Sequence, residues 1–527
     1  VAQDKPNWID RAIAAISPKW GMQRSKARLM ARHYEAASYG RRTDGWSRRT
    51  TDANAAASGP ALALLRAQAR DLVRNNPWAR RGLNRIVTST VGWGLKPRAT
   101  GAGEARISDL WRQWAETTQC DAASRCTMAG LQALVMRTVA MSGECLVRRR
   151  MRRLDDGLAV PMQLQVLEPD YLDTGRDGIK GEAGGMIVQG VEHDVIGRRV
   201  AYWLFDQHPG AVGALMSTSA TLSPISRRIP ADGVLHIFDI ERPQQVRGAS
   251  WFASVDLRLH DLDELEDATL MKSKIAACLA AFVTDADGSG APLGEAGVDS
   301  RGEMIDTLEP GMITNLPTGK SVQFSQPPST NDHATFTQTN LRGVAAGLGV
   351  TYEDLTGDYS QVNYSSARMA RNAFMLDVWN WQWNMLIPQF CAPAWDWMID
   401  AMLLAGEKIE DAPAEWTPAA IPMIDPGAEG QAMSRMVRIG AMTPDEMVRA
   451  QGYDPATHWS EYAANLKRLD KFGIIIDSDP RRTTAAGQIQ SPTAPAKAAG
   501  PIAPTAPAAG PGSSQNPPTT DVPSENP

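Results

Sequence analysis

Cysteine is scarce in these 527 residues. Its five copies, Cys120, Cys126, Cys145, Cys278 and Cys391, are odd in number and widely spaced, which argues against a disulfide framework and offers no zinc pattern. A reduced, intracellular chain is the expectation. Histidine is equally thin, and the seven copies (His33, His193, His208, His236, His260, His333 and His458) follow no metal-ligand spacing. No run of 18 apolar residues occurs and no signal peptide precedes the body, so no membrane partner is expected.

Catalytic motifs are missing too. Gly-x-Ser-x-Gly is absent, which removes the nucleophile elbow. The stretch from Thr314 to Ser321 ends like a phosphate-binding loop. Thr314, however, stands where the first glycine is required, and a strand rather than a helix is predicted to follow. Without a helix N-terminus there is no amide cradle and no dipole for a phosphate. Asp285, Asp287 and Ser289 resemble the opening of a calcium loop, but Gly288 comes early and no Glu stands at the twelfth position, so turn chemistry is expected. Carboxylates are plentiful and nothing singles out a pair. The expectation is a protein with no catalytic residue, metal or cofactor.

What is present is length and an asymmetry of charge. A chain of 527 residues suggests three or four domains at roughly 150 residues each. The net charge of −5 hides +13 over residues 1–98, where 19 Lys and Arg face 6 Asp and Glu, and −18 over the remainder. A basic arm on an acidic body suits a protein that meets a polyanion at one end, or one whose copies pair opposite surfaces.

The stretch around which the chain is organised runs from Gly349 to Gly406. Met369, Ala373, Leu376, Asn380, Trp383 and Ile387 recur at helical steps on one face, and Ala370, Phe374, Trp381 and Met385 on a second. Little of this helix is expected to be left for water. Ser365 or Ser366 is the expected cap. Pro388 and Pro393 are expected to kink or break the rod, which resumes through Trp395, Met398, Ile399, Met402 and Leu403. Such a helix would be roughly 60 Å long if straight, too long for the core of one ordinary domain.

Elsewhere a helix begins at Pro60, with Arg66, Arg70 and Arg74 at four-residue steps. That stripe either contacts phosphates or is a solvated or intersubunit salt-bridge face. Asn75-Asn76-Pro77 ends this helix and starts another carrying Arg80, Arg81 and Arg85. Helices are predicted over 104–118 and 128–142, and strands through 144–240. There Met162, Leu164 and Val166 alternate with Gln163 and Gln165 as in a half-buried strand, and 200–205 and 234–238 are rich in β-branched and aromatic residues. With the flanking helices this is an α+β arrangement, mainly helical. A helix over 251–283 has an acidic first half and a small, apolar second half. Strands at 311–316 and 321–324 are joined by Pro317, Thr318, Gly319 and Lys320. Helices follow near 334–349, 428–439, 443–451, where Thr443 is a good cap, and 457–470. From Asp479 onward Pro, Ala, Gly, Ser and Thr dominate, and disorder is expected.

Several distinctive runs carry a family resemblance. They are Arg70-Asp-Leu-Val-Arg-Asn-Asn-Pro, Val91-Gly-x-Gly, Arg242-Pro-x-Gln-x-Arg-Gly, Gly349-Val-Thr-Tyr-Glu and Gly357-Asp-Tyr-Ser-Gln-Val-Asn-Tyr-Ser-Ser-Ala-Arg, with Trp416-Thr-Pro and Ile424-Asp-Pro after them. In that order, over about residues 5–470, the chain closely resembles the lambda-type portal proteins of tailed bacteriophages. The resemblance implies a portal-type architecture: an N-terminal basic arm 1–60, a wing 61–248, a stem helix 249–283, a small β clip 284–330 and a returning stem helix 331–349. A tunnel loop 350–365, a long kinked helix with wing return 366–427, a helical crown 428–478 and a tail 479–527 complete it.

The resemblance also implies a function. Twelve copies would form a ring at one capsid vertex of the virion, assembled in the host cytoplasm, through which the terminase large subunit drives double-stranded DNA and through which the DNA later leaves. The major capsid protein, scaffold and head-completion proteins are the other implied partners. The residues assigned to the channel are Asp358, Tyr359, Gln361, Asn363 and Tyr364, a polar set without Lys or Arg. Tight phosphate pairing would stall a moving duplex, so weak, sequence-independent contacts are what such a loop needs. Asp256, Asp263, Glu264 and Asp267 are candidates for the channel wall, or an ordinary solvated face. Pro317, Gly319 and Lys320 are assigned to the docking tip. The loop equally suits packing between copies. Two rival readings are a DNA-packaging enzyme, nuclease or ATPase motor, which needs a nucleotide loop or carboxylate cluster that is missing, and a capsid component without a channel.

Overall fold

The architecture starts at a corner. Helix α1 (Gly59–Asn75) and helix α2 (Pro77–Val91) meet at Asn76, whose extended backbone ends the first and whose side chain accepts from Ala79 N at 2.9 Å to cap the second. Pro77 stands at the first position of α2, where no donor is required. Our computed structural model describes Lys19, Gly45 and residues 50–101, 103–211, 225–277, 281–285, 297–298, 304–305, 320–324, 333–409, 412–420, 422–476, 479 and 481–482. Most of the expected N-terminal arm, the tip residues Pro317 and Gly319, and nearly all of the expected tail lie outside these.

Helices α3 (Glu104–Ala115) and α4 (Met128–Ser142) follow as predicted. The second is buried along most of its length, with Leu131, Val135, Met136, Val139 and Ala140 in the core. Polar groups in this core are paired across long sequence distances, as burial demands. Gln132 takes both the N–H (2.8 Å) and the C=O (2.9 Å) of Leu95. Trp114 Nε1 donates to Met162 O at 2.7 Å, and Gln382 Nε2 to Thr90 O at 2.7 Å. The thiols Cys120, Cys145 and Cys391 are buried and, with Cys126, unbridged; burial pushes the Cys120 thiol up to about 12.

The strand-rich part holds two antiparallel sheets. One places β2 (Glu144–Met151) between β3 (Met162–Leu167) and β8 (Val234–Phe238). The other is a meander of β4 (Gly184–Val188), β5 (Val191–Asp194), β6 (Arg199–Phe205) and β7 (Ser226–Pro230). The alternation expected along β3 is incomplete. Gln163 is buried as well, because its amide donates to Gln119 O and Asp121 O while accepting from Arg152. A pairing with no local signal joins β1 (Lys96–Ala99) to β13 (Ala414–Thr417), more than 300 residues apart in sequence.

Three corrections concern the helices around the middle of the chain. The helix expected over 251–283 is α5 (Asp256–Ala277), and Ala281–Asp285 is a strand, β9. That strand pairs with β12 (Lys320–Phe324), which Lys320 opens; the strand predicted at 311–316 lies outside the described residues. A shorter pair, β10 (Gly297–Val298) with β11 (Met304–Ile305), lies between them in sequence. Beyond α6 (His333–Leu348) and the short α7 (Tyr352–Thr356), the long helix is unbroken. Helix α8 (Tyr364–Asn380) passes through a π-wound segment, Trp381–Cys391, into α9 (Ala392–Leu404). Pro388 sits inside the π-wound segment, where the wider winding relieves the clash that a proline ring makes with an α-helical carbonyl. The helix is also less covered than predicted: Met369, Leu376 and Trp383 of the first expected face are exposed, with Trp379, whereas Phe374, Val378, Trp381 and Met385 are buried.

Helices α10 (Pro426–Arg438) and α11 (Pro444–Ala450) complete a compact unit that ends at Tyr453. Thr443 and Glu446 cap α11 reciprocally. Helix α12 (Pro455–Phe472) falls in a second unit, where Arg481 and Arg482 pair with Asp470. Among the described residues no helix is long and apolar enough to cross a membrane.

One buried carboxylate joins the helical and strand-rich parts. Glu144, at the start of β2, is fully buried and receives Arg247 Nε at 2.9 Å, His236 Nε2 at 2.9 Å and Gly248 N at 3.1 Å, with Arg66 of α1 at 3.7 Å. Gly143 and Gly248 let the two segments cross: a Cβ on Gly248 would lie 2.1 Å from Gly143 O. Burial alone would raise this carboxyl, but the charge of Arg247 and the hydrogen bonds from His236 and Arg247 outweigh it and hold it far below the usual range. Its contribution is therefore present above the unfolded carboxylate pKa and lost as pH falls through the depressed folded value. Replacing Glu144→Gln leaves the buried Arg247 without its counter-ion, and urea unfolding is expected to show a loss of about 3–5 kcal/mol.

Candidate functional site

The segment 350–365 is half structured. Helix α6 ends at Gly349 (φ +67°), Thr351 caps α7 by accepting from Asp354 N at 3.1 Å, and Gly357 (φ +75°) ends α7. Asn363, not Ser365 or Ser366, caps α8: its Oδ1 accepts from Ser366 N at 2.8 Å, and Ser366 Oγ accepts from Asn363 N at 3.2 Å. What remains as loop is 358–362, framed by two caps. Asparagine outcompetes the serines here because its side chain reaches back over the first turn while its backbone stays extended.

Helix α2 anchors this frame. Gly82 lets it approach so closely that an added Cβ would lie 2.7 Å from Leu348 Cδ1. Arg81, beside it, donates from Nε to Asp354 O at 2.9 Å, and Arg85, one turn on, forms an ion pair with Asp354 Oδ1 at 2.8 Å. Nothing in the sequence ties residues 81 and 85 to 354. The arginine spacing is visible in the sequence, but its target is set by the fold.

The assigned loop residues divide by chemistry. Tyr359 and Gln361 are exposed, and Tyr359 lines a cavity of about 450 Å³ with Arg80, Arg81, Asn84 and Arg85. Asp358 turns back on Ser360 N at 3.0 Å, and hydrogen bonds from Ser360 hold its carboxyl below the usual range. Asn363 is committed to the cap, and Tyr364 is the first, half-exposed residue of α8. Of the acidic wall candidates, Glu264 and Asp267 are exposed on α5. Asp263 is half-buried and accepts from Asn76 Nδ2 at 2.8 Å, bracing the α1–α2 corner. Asp256 is buried, and neither of its oxygens has a hydrogen-bond partner among the described residues.

Two of the three arginines in the Arg66, Arg70 and Arg74 stripe turn onto carboxylates of the chain itself. Arg66 is buried between Glu144 and Asp170, and Arg70 binds Asp170 at 2.5 Å; Arg74 alone stays exposed. Glu168 and Asp170 lie beside His208, a grouping of metal-ligand type that residue spacing did not reveal. Arg70 contacts both carboxylates and Arg66 also reaches Asp170, so two cations of the chain already face the two charges.

Residues 39–382 match the family described as phage portal protein, lambda family. The chain is 27% identical over 438 residues to a probable portal protein of Halomonas phage phiHAP-1, covering 78% of this chain and 81% of that one. It is 26% identical over 377 residues to the portal protein of Escherichia phage N15, covering 64% and 69%. Portal protein B of Escherichia phage lambda is 27% identical over 350 residues, covering 58% and 62%. Among solved structures, the neck of a native gene transfer agent particle, computed with C12 symmetry, is similar at a TM-score of 0.43 and 18% identity, over 73% of this chain and 94% of that one.

Two outcomes are expected, one at this segment and one at α5. Asp354→Ala removes the ion pair with Arg85, which is expected to cost about 1 kcal/mol and to speed amide exchange over 352–363 roughly fivefold. Burial raises the Asp256 carboxyl to about 6. A raised acid binds its proton more tightly when folded, so its cost to stability appears as pH climbs from the unfolded value through about 6. Asp256→Asn is therefore expected to stabilise by about 1–3 kcal/mol at neutral pH, with a smaller gain in parallel denaturations at acid pH.

Proposed function

The chain belongs to the lambda family of phage portal proteins, and from that premise we propose that twelve copies close into a ring at one capsid vertex, with the loop 358–362 bordering an axial hole for double-stranded DNA. The protein is structural rather than enzymatic. The observation that carries the channel reading is a loop with polar, exposed Tyr359 and Gln361, no Lys or Arg between 350 and 367, and a rigid frame on both sides. A duplex sliding past such a rim meets hydrogen-bonding groups that exchange quickly and no fixed cation on the loop itself.

Assembly of many copies is supported by the long helix. Met369 and Leu376 are exposed by 74% and 63%, and with Trp379 and Trp383 they form an apolar stripe. Leu376, Trp379 and Trp383 line a groove of about 1180 Å³ that also contains Trp416 and Met433. Soluble monomers seldom leave so large a contiguous apolar patch to water. In this reading the ring stands in the virion after assembly in the host cytoplasm. The terminase large subunit drives DNA through it, and the major capsid protein, scaffold and head-completion proteins surround it.

End-on electron micrographs of the purified protein are expected to show rings with an axial hole and the loop at its rim. A species that remains monomeric at high concentration, or a loop on the outer perimeter, would overturn the reading. In a packaging reaction Gln361→Lys, which adds one cation per copy to the rim, is expected to slow DNA uptake several-fold, while Gln361→Ala leaves it near the wild-type rate.

A further inference from the structure

The loop lacks cations, but the surface that carries it does not. Arg80, Arg81 and Arg85 project from α2, and Arg137 from α4 reaches Asn84 Oδ1 at 2.7 Å. Asp354 is the one carboxylate among the residues lining this cavity, and Arg81 and Arg85 occupy it through its carbonyl and its side chain. Arg80 has no ion pair among the described residues, and neither does Arg137, although Arg137 is half-buried. Burial and then the charge of Arg80 lower the pKa of Arg137, the behaviour of a cation short of an anion. Tyr359, the exposed aromatic of the loop, lines the same cavity.

We propose that Arg80, Arg137 and Asn84 form a site for a backbone phosphate of the duplex, on the shoulder of the loop and next to Tyr359. This rests on the reading of the loop as the rim of a DNA channel, and it adds what the loop's own side chains do not supply. Guanidinium and amide donors suit phosphate oxygens and read no base. The chemistry also accords with movement, because Arg80 is exposed and its contact is screened by salt and water. Each phosphate can be handed on as the next arrives, and the cation that would otherwise lack a partner is satisfied while DNA is present.

The test is the salt dependence of DNA binding by intact rings of the full chain. Anisotropy of a short labelled duplex is followed between about 50 and 200 mM salt, where log K falls with log salt in proportion to the phosphates neutralised. Arg80→Gln and Arg137→Gln are each expected to form rings and to reduce the slope by at least about 1. Arg80→Lys, which keeps the charge, is expected to retain it. An unchanged slope in intact Gln-variant rings overturns the proposal. So does a failure of Arg80→Gln to close rings when Arg80→Lys closes them, which would assign the arginines to an acidic surface of a neighbouring copy. Wild-type rings that bind no duplex overturn the channel reading itself and this site with it.

Discussion

The structure depends on a charge that has been taken out of water. Glu144, at the start of β2, is enclosed where α1, β8 and the segment 247–248 converge on it, and each of these three contributes a donor or a cation. Such a carboxylate is tolerable only if every partner is in place, so the ion specifies one arrangement of helices on strands more sharply than apolar packing alone would. Two of the runs that carry the family resemblance have a physical reason here. Arg247 and Gly248 close the Arg242-Pro-x-Gln-x-Arg-Gly run, one as the counter-ion and the other as the crossing point. Arg70 begins another, and its partner is Asp170, which also holds Arg66.

Local signals served the helices well. Asn76-Pro77 and Thr443-Pro444 act as a cap followed by a first-position proline, and both are where the sequence predicts them. They could be read because a cap and its helix lie within four residues. The errors lie where a neighbour distant in sequence decides. Gln163 looked like the solvent side of a strand until Gln119, Asp121 and Arg152 satisfied it. The arginine stripe on α1 looked like a surface, because nothing nearby in sequence discloses Glu144 or Asp170. Ala281–Asp285 is apolar enough to read as a continuation of α5, and only pairing with Lys320–Phe324 makes it a strand.

The candidate site was legible by position but less so by role. The loop stands between the returning helix and the long helix, and its polar composition was plain. Which of its residues are available was not: Asn363 and Ser366 satisfy each other, and Asp358 is folded back on Ser360. The arginines of α2 were visible as a cluster, but no rule of spacing connects them to Asp354 more than 260 residues later. A loop without cations, set beside a surface that carries four of them, is a property of the fold and of neither segment alone.

The π-wound stretch changes the phase of the long helix. Ala392 N–H reaches back to Ile387 O, five residues rather than four, and this lag turns every later side chain about the axis relative to an ideal rod. The stripe of Met369, Leu376 and Trp383 therefore does not continue into Trp395, Met398 and Met402; the first faces outward and the second is buried. One rod thus serves two clients, presenting a greasy seam at one end and a core plug at the other. Winding that stretch as an ordinary α-helix would rotate the two faces against each other and mismatch both.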